Sequence, residues 1–174
     1  MADDKKVVGR VPEPLNEDTY AKSVRLDREN LKRCYEGKVV VKKSDRPLQN
    51  TRQGTLRYYL HNLVHHDTVL KDWRIHMHEI HAHSGKHNHQ GTTALFVLDG
   101  EGYTIVDGEK VEWKKGDLIL LPIKPGGVDH QHFNRDPNKP ARWLALSYRP
   151  FKEAMAQFIE QKEDAPGYHS DKQA

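Results

Sequence analysis

Short extended runs separated by tight-turn signals dominate residues 38–148, and they constrain the fold more than any other feature of this sequence. Clear examples are TTALFVLDG, YTIVDGEKVEW and KKGDLILLPI. The Asp107-Gly108 pair inside the second run favours a type I′ hairpin turn. About six to nine such strands can bury their apolar faces only against a second sheet or in a closed barrel. The sequence therefore predicts an all-β domain, either a sandwich or a barrel.

Two arms flank the predicted β domain of residues 38–148. Residues 1–37 are polar and charged, and their loose helical spacing of apolar residues predicts a surface helix that stops at Gly37. In residues 149–174, the apolar spacing after Pro150 predicts a packed helix over 150–163, followed by a loose tail beyond Pro166. The expected apolar face of that helix consists of Phe151, Met155, Phe158 and Ile159.

Composition excludes several classes of function. The 28 lysines and arginines are interleaved with 25 acidic residues, so the formal net charge of +3 does not indicate a nucleic-acid partner. No run approaches the roughly 18 apolar residues of a membrane span, and the start MADDKKVVGR lacks the apolar stretch of a secretion signal. We therefore expect a cytoplasmic protein without a membrane partner. A single cysteine, Cys34, rules out an intrachain disulfide and a cysteine-based zinc cluster.

Histidine pairs are the main functional signal. Side chains at i and i+2 of a strand share one face, so His87 and His89 project into the same space, as do His130 and His132. Neutral imidazole is a good ligand for iron, zinc, copper and nickel. Two such pairs in one small β domain favour a metal site over histidines that merely decorate a surface strand. A third pair, His81 and His83, has the same spacing and remains an alternative ligand pair.

The spacing around these histidines resembles the two sequence motifs of the cupin superfamily. In the first motif, His87-Asn88-His89 is followed by Thr93 and, six residues later, by Gly100. In the second, Gly116 is followed after five residues by Pro122. After an insertion of three residues, the motif continues with Pro125-Gly126-Gly127-Val128-Asp129-His130 and ends at Asn134. The resemblance covers roughly residues 73–148 and implies a jelly-roll β-barrel.

One departure from the cupin pattern changes the implied metal site. Thr93 stands where the usual glutamate ligand would be, which leaves three histidines and no carboxylate. Within the superfamily this is similar to the gentisate and salicylate dioxygenases, although those are double-cupin chains and this chain has room for one barrel. The resemblance implies that His87, His89 and His130 bind Fe(II). It also implies that His132 is a nearby catalytic group, which hydrogen-bonds substrate or shuttles a proton, unless it joins the coordination sphere.

A dioxygenase of this type would act on a small substrate and O₂. Arginine is the best-shaped partner for a substrate carboxylate. Arg74 and Arg142 lie on or beside predicted strands and are candidates for that role, although solvated edge arginines are common. Asn134, at the end of the second motif, is a further candidate substrate contact. Exposed sheet edges and a small core predict a homodimer.

Three functions remain open at the level of sequence. The first is an Fe(II) dioxygenase that cleaves a C–C bond of a hydroxylated aromatic acid or a related chelating compound. The second is a lyase, isomerase or decarboxylase in which zinc, manganese or nickel acts as a Lewis acid. The third is a small-molecule-binding protein without catalysis. Oxygen consumption separates the first from the second, and metal analysis tests the third.

Overall fold

A computed structural model describes residues 18–155 and 159–169, which form two antiparallel sheets and short flanking helices. The helices are α1 (Thr19–Glu36), a 3-10 turn (Lys43–Asp45) and α2 (Arg149–Ala154). The strands are β1 (Gln49–Thr51), β2 (Gly54–Leu60), β3 (Trp73–Ile80), β4 (Lys86–His89), β5 (Thr93–Asp99), β6 (Glu101–Val106), β7 (Glu109–Lys114), β8 (Leu118–Leu120), β9 (Val128–Asn134), β10 (Ala141–Tyr148) and β11 (Glu160–Glu163). No helix in the described ranges is long and apolar enough to cross a membrane.

The strands are distributed over two sheets. One sheet has six strands in the order β1-β2-β3-β10-β5-β8, and the other has five in the order β11-β4-β9-β6-β7. Neighbours in each sheet are antiparallel and mostly distant in sequence, as in a jelly roll. The predicted all-β jelly-roll fold is therefore confirmed, with the difference that the two sheets do not close into one continuous barrel among the described residues.

The core follows from period-two burial along the strands. In β10, Ala141, Trp143, Ala145 and Ser147 are buried, and the residues between them are partly exposed. The buried cluster draws on both sheets and consists of Ile80, Leu95, Val97, Trp113, Ile119, Ala141, Trp143 and Ala145. Burial of one such large apolar side chain contributes about 1.5–3 kcal/mol. Trp143 belongs both to this cluster and to the wall of the cavity described below.

The β6–β7 hairpin has the turn that its sequence predicts. Asp107 and Gly108 both have positive φ, 51° and 91°, as a type I′ turn requires. The hairpin register pairs Val106 with Glu109 directly across this turn.

The C-terminal segment differs from the predicted helix over 150–163. Helix α2 ends at Ala154, and residues 160–163 form β11, which pairs with the edge of β4. Pairing with β4 satisfies backbone groups that a surface helix would leave unpaired at that sheet edge, which explains why the helix does not continue. Phe151, on the expected apolar face, is exposed, whereas Lys152 is buried.

Some predictions for this segment concern residues outside the described ranges. Phe158, which was placed on the apolar face of the predicted helix, is one of them. The loose tail expected beyond Pro166 also lies largely outside, since the description ends at residue 169. In the described part of the tail, the carbonyl of Gly167 accepts a hydrogen bond from the Asn50 side chain on β1.

Helix α1 is the surface helix that the sequence predicts. Asp18 caps its first turn by accepting a hydrogen bond from the Ala21 backbone, and Gly37 follows its last residue. None of its residues is buried. Arg33 joins it to the β domain by donating to the backbone carbonyls of Thr68 and Val69.

Candidate metal centre

Three of the predicted ligands converge between strands β4 and β9. His87 and His89 lie on one face of β4, and His130 is directly opposite His87 in the β9 register. Their ring centroids are 4.2 Å (His87–His130), 4.6 Å (His89–His130) and 5.3 Å (His87–His89) apart. One nitrogen from each ring lies within 4.8 Å of the other two, and all three residues are buried. This spacing suits three ligands around one ion.

Backbone carbonyls orient all three rings. The Nδ1 atom of His87 lies 3.2 Å from the Gly85 carbonyl, and that of His130 lies 3.1 Å from the Val128 carbonyl. His89 Nδ1 lies 2.5 Å from the Gln90 carbonyl. A carbonyl oxygen only accepts, so each Nδ1 carries the proton and each Nε2 keeps a free lone pair. This outer contact is the usual one behind a metal-bound imidazole, and it fits a metal at the point of convergence.

The electrostatics of the cluster also fit a metal. Burial lowers the pKa of His87 to about 4 and that of His89 to about 3. Burial, reinforced by the neighbouring histidines, lowers the pKa of His130 well below its usual value. The three imidazoles are therefore neutral at pH 7, which is the protonation state that a metal ion requires of its ligands.

The usual fourth ligand has no equivalent here. Thr93, at the position of the missing glutamate, is buried at the start of β5 and lines the same cavity as the three histidines. Its hydroxyl has no hydrogen-bond partner among the described residues. No carboxylate is present among the described residues that line this cavity. A metal held here would therefore have three neutral protein ligands.

His132 occupies a separate position beside the three-histidine cluster. It is 1% exposed, and its ring centroid is 5.5 Å from that of His130. Its Nδ1 lies 2.8 Å from the Thr104 hydroxyl oxygen, which accepts a hydrogen bond from Trp113 Nε1 at 2.9 Å. Because the indole can only donate, the Thr104 hydrogen is available to His132 Nδ1. This arrangement favours a proton on His132 Nε2, and His132 lies outside the group of three histidines whose nitrogens converge.

The cavity in front of the cluster has a volume of about 50 Å³. Its walls include Tyr58, His76 and His78 in addition to the residues already described. His76 Nδ1 and His78 Nε2 are buried without a hydrogen-bond partner in the described part of the chain, which indicates a cavity built for a polar occupant. Ligand pockets typically measure about 300–1,000 Å³, so a ring-sized substrate requires the side chains that close this space to move.

Of the three predicted substrate residues, only Arg74 lines the cavity. Its Nε atom is buried and has no hydrogen-bond partner within the described ranges. Arg142 points away and pairs with Glu79 at 2.8 Å. The amide nitrogen of Asn134 lies within hydrogen-bond distance of the backbone carbonyls of His81, Asp136 and Lys139. Asn134 therefore stabilises the loop before β10.

The alternative pair, His81 and His83, lies outside the cluster. His81 is exposed and contacts Glu79 at 3.2 Å. His83 packs against Phe133, with ring centroids 5.7 Å apart, and its Nδ1 lies 2.9 Å from the Ser84 carbonyl. Neither residue lines the cavity.

The sequence places His76 and His78 on one strand, facing either the cavity or water, and the structure places both in the cavity wall. Sequence reasoning missed the buried side chain of Lys152, because the predicted helix buries its neighbour Phe151 instead. Only the packed position of α2 places this lysine in the cavity wall.

Two facing antiparallel sheets that enclose a cluster of neutral histidines define a jelly-roll protein with a candidate metal site. Residues 74–147 match the protein family described as the cupin domain. Residues 74–147 therefore carry a cupin domain, as the two motifs predicted.

Three of the curated relatives are named 1,2-dioxygenases, and each is matched over part of its length. Gentisate 1,2-dioxygenase of Ralstonia sp is 44% identical over 59 residues, which are 33% of this chain and 16% of that protein. 5-Aminosalicylate 1,2-dioxygenase of Comamonas sp is 30% identical over 83 residues, 48% of this chain and 21% of that protein. The matched segments thus span about a fifth or less of these relatives.

Solved structures share the fold. Salicylate 1,2-dioxygenase of Pseudoaminobacter salicylatoxidans, as its gentisate adduct, superposes with a TM-score of 0.51 at 17% identity, over 80% of this chain and 36% of that one. Pac13, a nucleoside dehydratase, superposes with the same TM-score at 12% identity, over 73% of this chain and 92% of that one. Identities this low establish a common fold and nothing about activity.

Proposed function

We propose that this chain uses Fe(II) and O₂ to cleave a C–C bond of a small hydroxylated aromatic acid or a related chelating compound. The observation that carries the proposal is the convergence of three neutral imidazoles, His87, His89 and His130, in a cavity whose described lining has no carboxylate. The names of the matched relatives support the same chemistry. The limited share of their length that is matched keeps the activity a proposal.

Fe(II) held by the three histidines would supply the redox chemistry that lets O₂ react with an organic substrate. The protein's own groups would then hold and orient that substrate. The buried position of the cluster excludes bulk water from the reacting atoms. Arg74 offers a positive charge to an acidic substrate, and His132 offers an N–H donor beside the ligands.

The proposal is tested on protein purified without oxygen and analysed for bound metal. We expect close to one iron per chain, and O₂ uptake on addition of gentisate, salicylate, a catechol or a diketone. The control is the same protein loaded with zinc, which should bind the metal without consuming O₂. If iron-loaded protein consumes no O₂ with any of these compounds, while zinc-, manganese- or nickel-loaded protein converts substrate under nitrogen, a Lewis-acid lyase or isomerase replaces the proposal. Failure to retain any metal would favour a binding protein without catalysis.

We also propose that two copies of the chain associate through the outer face of the six-stranded sheet. Large apolar residues are exposed there on β5 and on the edge strand β8, namely Phe96, Leu98, Leu118 and Leu120. Light scattering should give a dimer mass that falls to a monomer mass in Leu120→Glu, but not in the control Leu63→Glu. A monomeric wild-type protein at micromolar concentration would refute the dimer. The cytoplasmic location expected from the sequence stays a prediction, which cell fractionation can test.

A further inference from the structure

A buried lysine closes the cavity from outside the cupin-matched residues. Lys152 lies on α2, five residues beyond the end of the match at residue 147, and is 6% exposed. Its side chain lines the cavity together with Arg74 and the histidine cluster. No carboxylate in the described ranges forms an ion pair with it. A lysine that is so largely buried, without an acidic partner in the described ranges, is uncommon in proteins, because its charge loses much of its hydration.

The charged neighbours of Lys152 increase this cost. Burial, together with the positive charges of Arg149 and Arg74, lowers the pKa of Lys152 to about 8. The side chain is still mostly protonated at pH 7. The guanidinium of Arg74, on β3, has its Nε atom buried and unpaired among the described residues. Two cations from different elements therefore line one cavity whose described lining has no carboxylate, and the negative charge that acts on Arg74 comes from Glu153, outside that lining.

A structural role explains this arrangement poorly. A lysine that only packs its aliphatic stem usually places its ammonium group in water or beside a carboxylate. The described residues that line this cavity include neutral histidines, a threonine and a tyrosine, and none of them is a carboxylate. Lys152 is close enough to His87 and His89 for its charge to lower the pKa of both. The positive charge is thus directed at the space beside the candidate metal ligands.

We propose that Lys152 and Arg74 together bind the carboxylate of the substrate. The identity of that substrate as a hydroxylated acid rests on the proposed function, whereas the positive site rests on the geometry of α2 and β3. A carboxylate bound here would accept hydrogen bonds from both cations and provide the negative charge that the cavity lacks. Lys152 would then determine specificity for acids, and it would be supplied by a segment beyond the matched cupin residues.

The test compares salicylate with salicylamide, its uncharged analogue, which offers a similar pair of oxygens. Binding of both is measured by calorimetry on zinc-loaded protein, where no turnover occurs. We expect the wild-type protein to prefer salicylate by about tenfold or more, the usual effect of a hydrogen bond to a charged group. Lys152→Met should lose most of this preference while it keeps its affinity for salicylamide. Lys115→Met, which removes an exposed lysine from a surface turn, should match the wild type.

A second measurement does not depend on ligand affinity. Lys152→Met replaces a largely buried charge, without an ion-pair partner in the described ranges, by an apolar side chain of similar length, so the melting temperature of the ligand-free protein should rise. A lower melting temperature would show that Lys152 stabilises the fold and would overturn the proposal. Equal affinity of the wild type for salicylate and salicylamide, or an unchanged preference in Lys152→Met, would also overturn it. These results are independent of O₂ uptake, so failure of the dioxygenase proposal is distinguishable from failure of this one.

Discussion

At the scale of single residues, the site depends on which ring nitrogen of each histidine is protonated. The backbone carbonyls beside His87, His89 and His130 accept from Nδ1 and leave Nε2 free. At His132 the partner is instead the Thr104 hydroxyl, which favours the opposite tautomer. These contacts separate three candidate ligands from a fourth histidine that we propose as a hydrogen-bond donor.

The ligand assignment predicts different effects for two pairs of histidines. His87→Ala or His89→Ala should abolish stoichiometric metal binding, because two imidazoles hold a divalent ion poorly in a cavity that offers no carboxylate. His83→Ala should keep most of the metal, since His83 lies outside the cluster. Metal content after dialysis, measured by atomic emission, checks both results. Loss of metal in His83→Ala with retention in His87→Ala would mean that the motif register is accidental.

His132 is predicted to affect turnover rather than metal binding. In the iron-loaded protein, His132→Ala should keep its iron and lose about 10²–10⁴-fold in turnover, the usual contribution of a proton-transfer group. The measurement is O₂ uptake at saturating substrate, with iron content determined on the same sample. Loss of iron in His132→Ala would identify it as a ligand, and unchanged turnover would remove its catalytic role.

At the scale of secondary-structure elements, the turns of the β domain follow local sequence, whereas the C-terminal segment follows its neighbours. Asp107-Gly108 forms its turn because both residues tolerate positive φ. Residues 160–163, at the end of the predicted helix, form β11 instead, because the edge of β4 is available to pair with them. Tertiary context thus overrides the predicted helix beyond α2, the short helix that carries Lys152.

The β6–β7 turn provides a test at this scale. Gly108 has a φ of 91°, and a Cβ atom added there would meet nothing within 4 Å. Gly108→Ala should therefore lower the free energy of unfolding by about 1–2 kcal/mol through backbone strain alone. Glu109→Ala, at the next exposed position, should change it by less than about 0.5 kcal/mol. Urea unfolding of both variants checks this, and equal stability of Gly108→Ala and wild type would argue against the type I′ turn.

At the scale of the whole molecule, the enclosed space between the sheets sets the charge state of the histidines it contains. His87, His89 and His132 are buried, and burial lowers the pKa of each to about 3–4. In the unfolded chain, the pKa of each of these histidines is about 6.5. Below pH 6.5 the unfolded state therefore binds protons that the folded state does not.

The metal-free protein should lose stability as the pH falls. Its stability should be greatest above pH 6.5 and decline toward pH 4, with each of these histidines adding a slope of up to about 1.4 kcal/mol per pH unit. Urea unfolding at pH 7, 6 and 5 measures the slope. His132→Gln should reduce it, because this variant removes one of the buried imidazoles. A flat profile from pH 7 to 5 would contradict the neutral, buried state of the cluster.

The sequence by itself determined the β domain, its hairpin turn, the surface helix α1 and the cupin motifs. These depend on local spacing, turn chemistry and the two-residue period of strands, all of which can be read along the chain. Only the tertiary structure decided that Arg74 lines the cavity while Arg142 pairs with Glu79, and that Lys152 is buried. The physical reason is that each outcome depends on which faces of distant strands and helices pack together, and local sequence does not specify this.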